Sequence, residues 1–166
     1  RMMNTIMHQT KFLFFVLGLF GSAFVVLGEL PHNNFCTSAQ TVPIGETVNG
    51  TTIGATWSGA PFCRTQNTSP DVYFRVVGNG NRLNANTCNN ETKWDTRLDV
   101  FNVGCANLTC VNGNDDHCGL QSSTYWVSVD GEEYFILLHG FNATAGPFQL
   151  QVSNAGDETE EAVYTS

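Results

Sequence analysis

Positive charge is scarce in this chain. Seven Lys and Arg stand against 15 Asp and Glu, and from residue 29 onward the balance is five against fifteen, or −10. Phosphate backbones are held by clustered Lys and Arg that displace counterions, so the composition argues against a nucleic acid partner. Runs of Leu, Glu, Lys and Ala at helical spacing are also missing, which removes helix bundles and parallel α/β folds from consideration. No G-x-S-x-G, H-E-x-x-H or P-loop occurs, and His32, His117 and His139 have no obvious nucleophile with them. Nothing in the sequence therefore announces an enzyme. The EF-hand pattern is lacking, and the cysteines lack the C-x2-C spacing of a zinc site, although His117 sits beside Cys118.

What is present begins with an address. Lys11 is followed by FLFFVLGLFGSAFVVLG, seventeen residues without a charge, which is short of the ~20 that span a bilayer. Small residues at Gly21 and Ala23, or Val26 and Gly28, suit signal peptidase. Residues 1–28 thus read as a signal peptide with Glu29 as the mature start, and no stable membrane span remains after cleavage; the alternative is an uncleaved anchor. All six cysteines (Cys36, Cys63, Cys88, Cys105, Cys110, Cys118) follow this leader, and an even count in an exported chain implies disulfides. Six cysteines allow 15 pairings. A Cys36–Cys63 bridge would tie the N-terminal segment to the loop at 58–70, Cys105–Cys110 would close a short loop, and Cys88–Cys118 a longer one. Five N-x-S/T sequons at Asn49, Asn67, Asn90, Asn107 and Asn142 add a glycoprotein signature and favour a eukaryotic secretory route.

The body of the chain is punctuated by glycine and asparagine. TVPIGETVNGTTIGATW (41–57) suggests two strands with turns at Gly45 and Gly50. In DVYFRVV (71–77) Val72, Phe74 and Val76 alternate with Tyr73 and Arg75, the period of a half-buried strand. Gly78-Asn79-Gly80-Asn81 reads as a hairpin turn, with 82–88 returning as partner strand. Residues 98–103 form another strand, 112–119 a turn, and STYWVSV (123–129) a strand. Asp130-Gly131 is again a hairpin signal, followed by EYFILLH (133–139), the most apolar strand, and by Phe148, Leu150 and Val152. Eight to nine short strands at this spacing mean an antiparallel sandwich or barrel. The domain is expected over 29–153, and 154–166, with four acids and no apolar periodicity, reads as a disordered tail or linker.

The order of these signals, PDVYFRV, WDTRLDVFN, GNDDHCGLQSS and DGEEYFILLHGFNATAGPFQLQV, resembles the bacterial pre-peptidase C-terminal domain family. The matched landmarks are Asp95, Leu98, Asn114-Asp115-Asp116, Ser122, Gly131 with Tyr134, and Gly146 with Phe148 and Leu150, over residues 70–152. The resemblance implies a jelly-roll β-sandwich of the kind appended to exported proteins. Six cysteines exceed what the bacterial members carry, and no peptidase precedes the domain, so this would be a secreted, cysteine-rich version.

Two sets of residues carry candidate chemistry. Asp95, Asp99, Asn114, Asp115 and Asp116 are hard oxygen donors on strand ends and a turn, the donor type of Ca²⁺, and calcium in relatives of this architecture supports that reading. The competing reading is a turn stabilised by short polar side chains. A hairpin between Leu98 and Asn114 would bring Asp95 near Asp115 and Asp116. Asp115 and Asp116 are too close in sequence to straddle a glycosidic bond. Among the aromatics, Trp94 in the polar stretch NETKWDT is the best exposed candidate for ligand contact, while Trp57 and Trp126 are expected in the core. The resulting expectation is a non-catalytic binding or adhesion module for extracellular polysaccharide or protein, secreted or associated with the cell wall. The alternative is a structural accessory domain of a larger secreted protein, and an unrecognised hydrolase stands third.

Overall fold

The computed structural model describes residues 29–156. The leader and the acidic stretch from 157 onward lie outside the described residues, so the signal peptide and most of the tail are expectations of the sequence alone. Within 29–156 the chain forms a 3-10 turn at Cys36–Ser38 and nine strands: β1 Gln40–Thr41, β2 Thr47–Thr51, β3 Val72–Val77, β4 Arg82–Asn86, β5 Thr96–Asn102, β6 Thr109–Asn114, β7 Ser123–Val127, β8 Glu133–Gly140 and β9 Pro147–Asn154. No helix among the described residues is long and apolar enough to cross a membrane.

The strands build two sheets, β1-β3-β8-β5-β6 and β2-β9-β4-β7. Setting β1 aside, the partners nest from outside inward: β2 with β9, β3 with β8, β4 with β7 and β5 with β6. That nesting is a single long antiparallel hairpin rolled into a sandwich, the jelly roll. Every neighbouring pair is antiparallel except β1 with β3.

This topology corrects two local expectations. Gly78–Asn81 does not return β4 alongside β3, and Asp130-Gly131 does not pair β7 with β8, because in each case the two strands belong to different sheets. Both connections cross the rim of the sandwich side by side. Gly78 N–H donates to Glu132 O (2.8 Å), Gly131 N–H to Gly78 O (2.9 Å) and Ser128 N–H to Asn81 O (2.9 Å). Tyr134 fixes this corner, its hydroxyl accepting Val129 N–H at 3.0 Å. Gly50 likewise marks no turn. It lies inside β2 opposite Phe148, whose ring stands 2.5 Å from where a Cβ would be, so only glycine fits.

The inner faces meet in one core containing Val72, Phe74, Val76, Leu83, Leu98, Ile136, Leu138, Phe148 and Leu150. Phe74 and Phe148 join the sheets edge to face at 5.8 Å. Each such side chain contributes roughly 1.5–3 kcal/mol by leaving water. A second apolar cluster lies on the outer side of the larger sheet, where Tyr73, Phe101, Phe135 and Leu137 are covered by the N-terminal segment and the loop around Cys63. Asn33 clips that segment to β3, giving its side-chain amide to Tyr73 O (3.0 Å) and receiving Tyr73 N–H on its backbone O (2.8 Å).

Three disulfides hold this cover and one end loop: Cys36–Cys105, Cys63–Cys110 and Cys88–Cys118. The last matches the sequence reading. Cys36–Cys63 and Cys105–Cys110 are corrected, because the two covering segments are each pinned to the β5–β6 hairpin beneath them rather than to one another. Cys105 lies in the hairpin loop while Cys110 lies on β6 opposite Phe101, and each meets a partner from a different overlying segment.

Candidate functional site at one end of the sandwich

The β5–β6 pairing, with Leu98 opposite Asn114, sets the positions of Asp95 and of the turn that follows Asn114. Just beyond the strand ends, Asp95, Asp115 and Asp116 each place a carboxylate oxygen within 4.8 Å of the other two. A buried hydroxyl network holds the two chain segments together. Ser122 Oγ lies between the carbonyls of Thr96 and Asp115, while Ser122 N–H reaches Thr87 Oγ1 (3.1 Å) and Thr96 Oγ1 (3.2 Å). Thr96 N–H donates to Leu120 O at 2.9 Å, and Cys88–Cys118 clamps the turn from its other side.

Charge in this group is only partly compensated. Arg97 Nη2 pairs with Asp115 Oδ2 at 2.7 Å, its Nη1 donates to Gln66 O at 3.1 Å, and its guanidinium lies 4.5 Å above the Phe141 ring. Asp95 Oδ1 and Asp115 Oδ1 are shielded from solvent with no hydrogen-bond partner. Partial burial, and then the charges of Asp115 and Asp116, hold the Asp95 carboxyl above its ordinary pKa. Three hard carboxylates with two orphan oxygens suit a calcium ion in kind, and supply three of the six to eight oxygens such an ion takes. Arg97 works against a cation here.

Trp94 closes the same end. Its Nε1–H donates to Pro147 O (2.7 Å), and its ring lies against Gly146, where a Cβ would stand 2.6 Å from Cδ1. Asp95 O next door accepts Phe141 N–H and Thr144 Oγ1–H, both at 3.2 Å. The ring is half-buried and packs on the edge of the main core.

The structure does not bring Asp99 to this group. Asp99 is 1% exposed and faces the outer side of β5, where Oδ1 accepts Arg64 N–H and Thr65 N–H (both 3.1 Å) and Oδ2 accepts Thr65 Oγ1–H (2.6 Å). His139 Nε2 stands 3.3 Å from the same Oδ2. Asn114 Oδ1 accepts Ser123 N–H at 3.2 Å and anchors β7. A second buried carboxylate went unnoticed in the sequence: Asp71 Oδ2 accepts Ser58 N–H (2.9 Å), Ser58 Oγ–H (3.0 Å) and Asn67 Nδ2–H (2.7 Å). Burial raises its pKa above 3.8, and those hydrogen bonds oppose the shift in part. Both carboxylates tie the 58–70 loop to the sheet; alternation put Asp99 on the outer face, but only the fold shows that face covered.

Two aromatic expectations separate. Trp126 is in the core, whereas Trp57 is 62% exposed on the covering loop, its Nε1–H donating to Asn67 O at 3.1 Å. Of the sequon asparagines, Asn49, Asn90, Asn107 and Asn142 are exposed, and Asn67 is half-buried against Asp71.

No family model matches the chain, and no curated protein matches it. Among solved structures, the pre-peptidase C-terminal domain of a collagenase from Bacillus anthracis is similar at 12% identity and a TM-score of 0.48, covering 69% of this chain and 93% of that one. PliG from Aeromonas hydrophila, a periplasmic inhibitor of g-type lysozyme, is similar at 14% identity and a TM-score of 0.44, covering 70% and 97%. The first is a domain of the family that the motif order resembles. Likeness at this level concerns the fold and says nothing of ligand or activity.

Proposed function

We propose that this chain is a secreted, non-catalytic binding or adhesion module for an extracellular polysaccharide or protein. One observation carries the reading: Trp94, Asp95, Arg97, Asp115, Asp116 and Phe141 converge on one end of a sandwich whose loops are held by disulfides and buried hydroxyls. Fixed polar and aromatic groups on loops over a rigid scaffold are the usual form of a recognition surface. Disulfide density is what export to an oxidising compartment selects, which supports an extracellular or cell-wall location after removal of residues 1–28. The binding domain is 29–153, followed by an acidic linker, and glycans on the exposed sequons at Asn90, Asn107 and Asn142 belong to the same reading.

Calcium at Asp95, Asp115 and Asp116 is part of this proposal; Asp99 and Asn114 hold a loop and a strand and are not among its ligands. Thermal melting in EDTA and then with added calcium tests it: a rise in midpoint that Asp116→Asn abolishes supports the ion, and an unchanged midpoint discards it. Binding itself is tested by pull-down on insoluble polysaccharides and on matrix proteins, comparing the native chain with Trp94→Ala. Retention on neither class of ligand would overturn the binding reading and leave the alternative, an accessory domain inside a longer secreted chain.

A further inference from the structure

The smaller sheet differs in charge from the rest of the molecule. Its four strands, TVNGT, RLNAN, STYWV and PFQLQVSN, contain no acidic residue and a single basic one, Arg82, in a chain carrying 15 acids. Val48, Leu83, Ala85, Trp126, Phe148, Leu150 and Val152 pack inward, so alternation turns the polar set outward. Register then aligns that set in rows. Thr47, Gln151, Asn86 and Ser123 form one row across all four strands, Asn49 stands opposite Gln149, and Asn84 opposite Tyr125.

Asn84 and Ser123 are buried, 7% and 5% exposed, and committed to each other, while other groups of the face are open. Asn84 Nδ2 donates to Ser123 Oγ, and Asn86 Nδ2 to Asn84 Oδ1, both at 2.8 Å, which stiffens the middle of the face. The side chains of Gln149, Gln151 and Thr47 make no hydrogen bond among the described residues. Arg82 lies 4.8 Å over the Tyr125 ring, which orients its guanidinium donors.

We infer that this outer face is a docking surface for an extended, neutral polysaccharide. The inference goes beyond the binding reading above, which rests on the Trp94 end, and adds a second surface with its ligand class. Side-chain amides and hydroxyls offer donors and acceptors together, as sugar hydroxyls require. Neighbouring strands are ~4.8 Å apart, about the length of one sugar in an extended chain, so successive rings laid across the face meet Thr47, Gln151 and Asn86 in turn. A protein partner would find few large apolar anchors there. One Arg is too few for an anionic glycan or a phosphate backbone.

The test is retardation in native gels cast with hydroxyethyl cellulose, a neutral glucan, or with polygalacturonate, an anionic one. The secreted protein is compared with Gln149→Ala/Gln151→Ala, which loses no internal hydrogen bond, and with Arg82→Ala. Retardation is expected in the neutral gel alone, insensitive to salt, with affinity reduced at least tenfold in the double variant at an unchanged melting midpoint. Equal binding by the double variant, or preference for polygalacturonate, would refute the inference. Binding only after Asn49→Gln would also refute it, since the chain's own glycan would then cover the face. Absence of glucan retardation with retention on matrix protein overturns the inference and leaves the binding reading standing; absence of both removes both.

Discussion

Replacing Asp99 separates a structural carboxylate from a metal ligand. In Asp99→Ala, the N–H groups of Arg64 and Thr65 and the Thr65 hydroxyl lose their acceptor, and His139, which is 0% exposed, loses its ionic neighbour. Removing one member of a buried polar pair and stranding the other costs about 3–5 kcal/mol. For a domain of this size that is a fall of roughly 10–20 °C in Tm. Asp99→Asn keeps one oxygen in place for the two backbone amides and presents an NH₂ toward Thr65 Oγ1, so its expected cost is about 1 kcal/mol. Differential scanning calorimetry reads both variants, in EDTA and in calcium. The loss is expected to be the same with and without calcium. An Asp99→Ala variant within 1 kcal/mol of wild type, or one whose deficit vanishes in EDTA, would refute the assignment.

Removing Cys63–Cys110 with a double alanine variant frees a loop of 47 residues. Chain entropy then predicts a loss of about 4 kcal/mol by chemical denaturation, and a loss below about 1 kcal/mol would mean the bridge is not formed. Gly146→Ala drives a methyl into the Trp94 ring, and a cost of about 1–3 kcal/mol is expected, accompanied by a changed tryptophan emission; neither change would mean the ring is not packed there. Because burial raises the Asp71 pKa above 3.8, its contribution to stability is full below that value and is lost as pH rises through the folded-state pKa. Asp71→Asn keeps one acceptor oxygen and no charge. Wild type should therefore lose stability relative to the variant as pH rises above 3.8, and parallel curves would contradict the shift.

The strands were legible where one face is buried and the other wet. DVYFRVV and EYFILLH fix β3 and β8 because alternation and apolar density agree. β6 was hidden, since TCVNGN reads as a turn. Asn112-Gly113 belongs to an edge strand at a bulge, and Gly113 is required because Asp99 Oδ1 occupies the space of a side chain. Local turn chemistry also cannot distinguish a hairpin from a crossing between sheets: Gly78–Asn81 and Asp130-Gly131 carry the same signal for either. Asp95, Asp115 and Asp116 came together as their positions around one hairpin implied. Their partner Arg97 and two of three disulfides depend on contacts 18 to 69 residues apart in sequence, set only by the rolled topology, and the role of Asp71 depends on the path of the loop that returns over it.

The central claim, recognition without turnover, is tested most directly by incubating the purified protein with the insoluble polysaccharide or matrix protein that retains it, and measuring soluble product against time. The account predicts retention with no release of sugar or peptide above the protein-free control. Product that accumulates linearly with time and scales with protein concentration would contradict it.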